Sequence, residues 1–174
     1  METDGVLVLD TEKMTGMDGK EYTPAQGVVS SGDYITEVNH QKIEGKKQLM
    51  DLVEHLDGEK VLLTVRRENT ILEKKLTPVI SKGNYRLGIW VRDNVQGLGT
   101  ITFLTKNNRF AALGHGIHDV DTSTLLTIKR GTLYRTSIQK VQKGSKGNPG
   151  TMEGIIAHEI KGVNGFGYDP IVYL

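Results

Sequence analysis

Apolar positions fall in short runs separated by polar, glycine-containing breaks, which is the spacing of short strands. Gly5 to Asp10 (GVLVLD) reads as a buried strand, and Thr11 to Pro24 as a polar loop. Asp33 to Val38 predicts a further strand, with Asn39 and His40 turning the chain. From Lys46 to Leu56 the period changes: Leu49, Leu52, Val53 and Leu56 stand at i, i+3, i+4 and i+7, one apolar face of a helix, and Gly58 follows where a left-handed cap belongs. Lys60 to Arg67 and Ile71 to Thr77 then read as a hairpin turning at Glu68 and Asn69.

Beyond residue 84 the runs are strand-like throughout. Tyr85 to Arg92, Gly97 to Leu104 and Phe110 to Leu113 have the spacing of a β-meander, Thr124 to Lys129 and Thr132 to Gln142 predict a hairpin through Arg130 and Gly131, and Gly144 to Gly150 is a turn-rich exit. Composition agrees with a mainly β fold: Val, Ile and Thr number 15, 13 and 17 against 4 Ala among 174 residues, and β-branched side chains suit strands. Charge is uneven. Residues 1–80 hold 10 Lys/Arg and 15 Asp/Glu, residues 81–174 hold 12 and 6, so the halves are −5 and +6 within a net +1. With Pro78 followed by Ser81, Lys82, Gly83 and Asn84, this predicts a boundary near residues 79–84. Absence of cysteine excludes a disulfide scaffold and a thiol nucleophile, and no run approaches the ~18 apolar residues of a membrane-spanning helix or forms a signal peptide.

Candidate chemistry centres on Ala111 to Thr122 (AALGHGIHDVDT), where His115 follows a predicted strand between Gly114 and Gly116. An imidazole with an ordinary pKa near ~6.5 can take a proton from a serine hydroxyl and return it to a leaving amine if an acid orients the ring. Asp119 and Asp121 are the nearby acids. The same residues admit other readings: a structural or surface role, or a zinc or manganese site built from His115, His118, Asp119 and Asp121, although their spacing matches no strong metal signature. No metal or cofactor is expected.

Residues 5–79 resemble a PDZ domain, through GVLVLD, TPAQGVVSSGDYITEVNHQKI, the helix and the closing VLLTVRR. The resemblance implies a small β-barrel with one long helix, and a peptide added as a strand beside Val6, Leu7, Val8 and Leu9, with Leu49, Leu52, Val53 and Leu56 on the opposite groove wall. Those helix residues also read as plain core. The family's carboxylate-binding loop should precede GVLVLD, where only Met1 to Asp4 stand, so the unit is expected to be amino-terminally incomplete.

Residues 85–150 resemble the stage IV sporulation protein B peptidase family through LGIWVRDNVQGLGTITFL, RFAALGHGIHDVDT and QKGSKGNPG. That family carries a PDZ domain ahead of a trypsin-like serine peptidase domain, and the histidine of its A-L-G-H motif, here His115, is the catalytic base. The resemblance implies a membrane-anchored endopeptidase exported from the forespore to the intermembrane space, cleaving itself and a regulator of sigma-factor processing. The family's Gly-x-Ser-Gly-Ser-Pro loop has no counterpart around Ser30, Ser31, Ser81, Ser123, Ser137 or Ser145, so an incomplete, inactive peptidase is expected.

Glu153 to Tyr173 instead resemble the inosine triphosphate pyrophosphatase family, whose base-pocket motif matches Gly165 to Pro170. That resemblance implies nucleotide contacts at Phe166, Tyr168 and Asp169 and a chimeric junction near residues 150–153. The expected division is therefore a PDZ domain over 1–80, a partial trypsin-like barrel over 84–152 and a distinct tail over 153–174. A basic stretch from Lys129 to Lys146 reads as a solvated hairpin face, because no aromatic residues interleave it for base stacking. The expected partner is a peptide or protein, with the chain itself included, and nucleic acid is not expected. The competing functions are a non-catalytic peptide-binding module and, more weakly, a nucleoside triphosphate pyrophosphatase.

Overall fold

A computed structural model of the chain describes residues 2–95, 100–106, 110–113, 116–119, 121–131 and 134–159. In chain order the elements are β1 (Glu2–Thr11), β2 (Met14–Thr15), β3 (Glu21–Tyr22), β4 (Tyr34–Val38), β5 (Gln41–Lys42), α1 (Lys46–Glu54), β6 (Val61–Arg67), β7 (Thr70–Leu76), β8 (Val79–Ser81), β9 (Asn84–Arg86), β10 (Ile89–Asn94), β11 (Thr100–Leu104), β12 (Phe110–Leu113), β13 (Ile128–Arg130), β14 (Tyr134–Gln142) and β15 (Thr151–Glu159). The fold is mainly β. Two compact units form, residues 1–96 with 116–129 and residues 97–115 with 130–174. The first reaches past the predicted boundary at 79–84, because β10 and the segment after residue 116 pack with the amino-terminal sheet.

That sheet runs β10-β1-β4-β6-β7, with β13 added to β1 and β5 to β4, and among the described residues no pairing closes it into a barrel. Its alternation is set by β-branched and leucine side chains: Val61, Leu63 and Val65 of β6, Ile35 and Val38 of β4, and Val6 and Val8 of β1 share one buried cluster with Leu49 of α1. Each such side chain, fully removed from water, contributes roughly 1.5–3 kcal/mol. Leu7 points the other way, into a smaller cluster with Tyr34 and Leu126. The continuous VLVL run is thus explained by a strand covered on both faces. Gly5 lies within the first of its two register shifts against β10, with a φ of +88° that a side chain resists and a Cβ position 2.7 Å from the Ile35 carbonyl oxygen.

Before β4, the buried Asp33 carboxylate takes both arms of Arg67 at 2.7 and 2.8 Å and the Ser30 backbone N–H at 2.8 Å. This fork ties the loop entering β4 to the end of β6. The predicted hairpin of β6 and β7 is present in regular register from Val61↔Leu76 to Arg67↔Thr70, and Glu68 adopts a φ of +51° at its turn. The helix ends at Glu54 with His55 as its cap, earlier than predicted, so Gly58 lies beyond the cap position.

Two further predictions change. Tyr85 to Arg92 is not one strand: Gly88, with a φ of +69°, separates β9, which pairs with β8, from β10, which pairs with β1. Thr124 to Lys129 does not form a hairpin with Thr132 to Gln142 either. In the second unit β14 pairs with β15, from Gln142↔Thr151 to Tyr134↔Glu159, through the turn at Ser145 and Asn148. The seven-residue Gly144–Gly150 stretch read as an exit is the hairpin turn itself. The second unit also holds the predicted antiparallel pair of β11 and β12.

Candidate peptide-docking groove and histidine segment

The edge of β1 implied for a peptide is occupied by the chain's own β10, which lies antiparallel along it with Leu7↔Arg92, Val8↔Val91, Asp10↔Trp90 and Thr11↔Ile89 facing. On the other side β4 pairs through Val6↔Ile35 and Leu7↔Tyr34. Val6, Leu7 and Val8 are fully buried and Leu9 is half-buried, so these four side chains serve the two clusters rather than an open trough. Leu49 is buried, and Leu52, Val53 and Leu56 pack partly buried on the main cluster, as Ile89 and Val91 do. Leu49 and Val53, with Met50 and Glu54, also face Ile89 and Val91 across a hollow of about 250 Å³.

Four polar contacts fasten β10. Gly45 gives α1 no side-chain cap. The Asp93 carboxylate supplies one from the strand, accepting the Lys46 backbone N–H at 2.7 Å, where a helix N-terminus favours negative charge. The Asp93 carbonyl lies 3.1 Å from the buried Thr3 hydroxyl. Arg92 reaches to Asp119 and, at 2.7 Å, to Asp121.

Asp119 is buried and also accepts the backbone N–H groups of Asp121 and Thr122, both at 3.0 Å. Burial pushes its carboxyl pKa up, but the Thr122 and Asp121 N–H groups and the Arg92 guanidinium outweigh that and leave it below the ordinary carboxylate value. Arg92 loses by partial burial and gains more from Asp119 and Asp121, so its pKa is raised. Asp119 is therefore committed to the turn from residue 119 to 124 and to Arg92. His118 is exposed and bridges Leu125, and among the described residues no His, Asp and Glu cluster has the geometry of a metal site. His115, Phe166, Tyr168 and Asp169 lie outside the described residues.

Sequence reasoning missed β10 as the sheet neighbour of β1, Asp93 as the cap of α1 and Arg92 as a tie to Asp119 and Asp121. The alternation of Ile89 and Val91 about Trp90, set off by Gly88, was the available signal for a separate strand.

Residues 83–166 match the family described as SpoIVB peptidase S55. A 110-residue stretch is 32% identical to the Helicobacter pylori (strain J99) "Putative zinc metalloprotease", covering 56% of this chain and 31% of that protein. The chain thus spans about a third of the curated relative's length. Among solved structures, the PDZ domain of the SdrC-like protein from Listeria innocua is similar at 24% identity and a TM-score of 0.44, over 53% of this chain and 98% of that one. Its counterpart from Listeria monocytogenes gives 22% and 0.40, over 52% and 90%. The sequence is peptidase-related. The match to the peptidase family runs to residue 166, across the junction predicted near 150–153, and β15 crosses the same point within one hairpin. The resemblance to inosine triphosphate pyrophosphatases is unsupported.

Proposed function

We propose that the chain is part of a serine endopeptidase of the sporulation-signalling type, in which His115 is the general base. The observation that carries this reading is the peptidase-family match over residues 83–166, which contains the Ala-Leu-Gly-His segment. His115 would accept the proton of a serine hydroxyl as that oxygen attacks a peptide carbonyl, then protonate the departing amine. Asp119 is a poor candidate for orienting the ring, since its lone pairs already serve Arg92 and two backbone N–H groups. Zinc chemistry, named for the Helicobacter relative, is not favoured: His158-Glu159 begins a His-Glu-x-x-His pattern, but Gly162 replaces the second histidine. Fluorophosphonate labelling of the protein expressed from its own gene tests the reading. The wild type is expected to be modified on serine, and His115→Ala to lose at least a hundredfold in labelling rate. An unlabelled wild type overturns it.

A second reading, a peptide-binding module acting by strand addition, draws on the apolar hollow between β10 and α1.

A further inference from the structure

The segment from Thr11 to Pro24, polar by composition, carries two large apolar side chains that the core does not use. Met17 is 72% exposed and Tyr22 37%, and Ile80 of β8 is 40% exposed. Together with Pro24 and Val28 they wall a hollow of about 750 Å³, with the buried Leu76 and Pro78 as its floor. The walls are fastened to one another. The Met17 backbone N–H donates to the Ile80 carbonyl at 3.0 Å, and the buried Ser81 hydroxyl donates to the Thr15 carbonyl at 2.8 Å. Tyr22 is held through its hydroxyl, which donates to Asp18 at 2.7 Å. Since β8 pairs with β9 along its other edge, this wall offers side chains rather than a free strand ladder.

Charge around the hollow is uneven. Lys60 immediately precedes β6 and Lys75 lies near the end of β7, and the facing of Val61 and Leu76 brings both lysines to one wall. Both are exposed, and among the described residues neither meets a carboxylate at ion-pair distance. The acid among the lining residues, Asp18, belongs to the opposite loop and accepts the Tyr22 hydroxyl and the Lys20 N–H. Concave, mostly apolar hollows of roughly 300–1,000 Å³ with a few fixed polar groups suit small ligands, and exposed apolar side chains gathered in one place mark a contact surface.

We propose that this hollow binds a long-chain carboxylate, in chemical class a free fatty acid. Its alkyl chain lies over Leu76, Pro78 and Ile80, and its head group lies against the ammonium groups of Lys60 and Lys75. The apolar walls remove the chain from water, and the two unpaired cations select the sign of the head group. A cationic amphiphile of equal length meets like charges instead. The site is separate from the hollow between β10 and α1, and the inference is independent of His115 and of strand addition.

Isothermal titration calorimetry of the full chain with dodecanoate, below its micelle concentration, tests the proposal. One saturable site is expected. Dodecanoate should bind about tenfold tighter than decanoate, the effect of two further buried methylenes, and at least tenfold tighter than dodecyltrimethylammonium. Lys60→Glu combined with Lys75→Glu is expected to abolish the preference for the anion at an unchanged unfolding midpoint, and Ile80→Asp to weaken both amphiphiles at least tenfold. The β14–β15 hairpin also exposes apolar side chains, so Val141→Lys combined with Met152→Lys is the control and should bind dodecanoate as the wild type does. No binding, equal affinity for the two amphiphiles, or binding that the hairpin variant abolishes overturns the proposal. Binding to phosphatidylglycerol vesicles without binding of monomeric dodecanoate does so as well.

Discussion

At the residue scale, Asp119 shows how a buried charge is kept. Its three partners, Arg92 and the N–H groups of Asp121 and Thr122, keep its pKa below the ordinary carboxylate value although burial pushes it up. Asp119→Asn is expected to lower the unfolding free energy by about 2–4 kcal/mol, read as a fall in the urea midpoint at unchanged slope. Because the folded-state pKa lies below the unfolded value of 3.8, the stabilisation is fully present above that value. It is lost as pH falls through the lower, folded one. The wild type should therefore lose stability below about pH 4 more steeply than the Asn variant, which has no carboxylate to protonate there. Asp119 was read from sequence as an orienting acid or a metal ligand. Nothing local distinguishes such an acid from one spent on an arginine 27 residues away.

Single glycines and caps decide whole elements here. In β1, Gly5 combines a left-handed φ with a Cβ position 2.7 Å from the Ile35 carbonyl. Gly5→Ala should cost at least about 2 kcal/mol, checked by thermal and urea unfolding. Loss of the borrowed cap in Asp93→Ala should cost about 1 kcal/mol and reduce the helical circular dichroism signal. The elements themselves were largely legible. The hairpin of β6 and β7 could be anticipated because alternation and turn residues lie within its own 17 or so positions. The partner of β10 could not, since period-2 patterning says which face a strand buries and not which neighbour covers its edge. The pairing of β14 with β15 is illegible for the same reason, since candidate turns flank the strand on both sides. His115 was legible as a motif alone, through its family resemblance.

For the whole molecule, surface character differs from the core in one informative way. Ile138, Val141 and Met152 are exposed on one face of the β14–β15 hairpin, where Val141 faces Met152 and Ile138 faces Gly154. Two strands with an uncovered apolar face are marginal in water and prone to association. Lysine at Val141 and Met152 together should reduce concentration-dependent association in sedimentation velocity and lower dye binding to exposed apolar surface, without lowering the unfolding midpoint of the first unit. In that unit, the sheet and helix are completed by a strand synthesised late. Residues 2–80 are translated before β10, and at roughly 5–20 residues per second the interval up to residue 95 is on the order of a second in which the sheet is unfinished. A neighbouring chain on the same message carries an identical copy of the missing piece. Crowded translation thereby opens a route to swapped dimers, and the speed of synthesis through residues 80–95 governs how often it is taken.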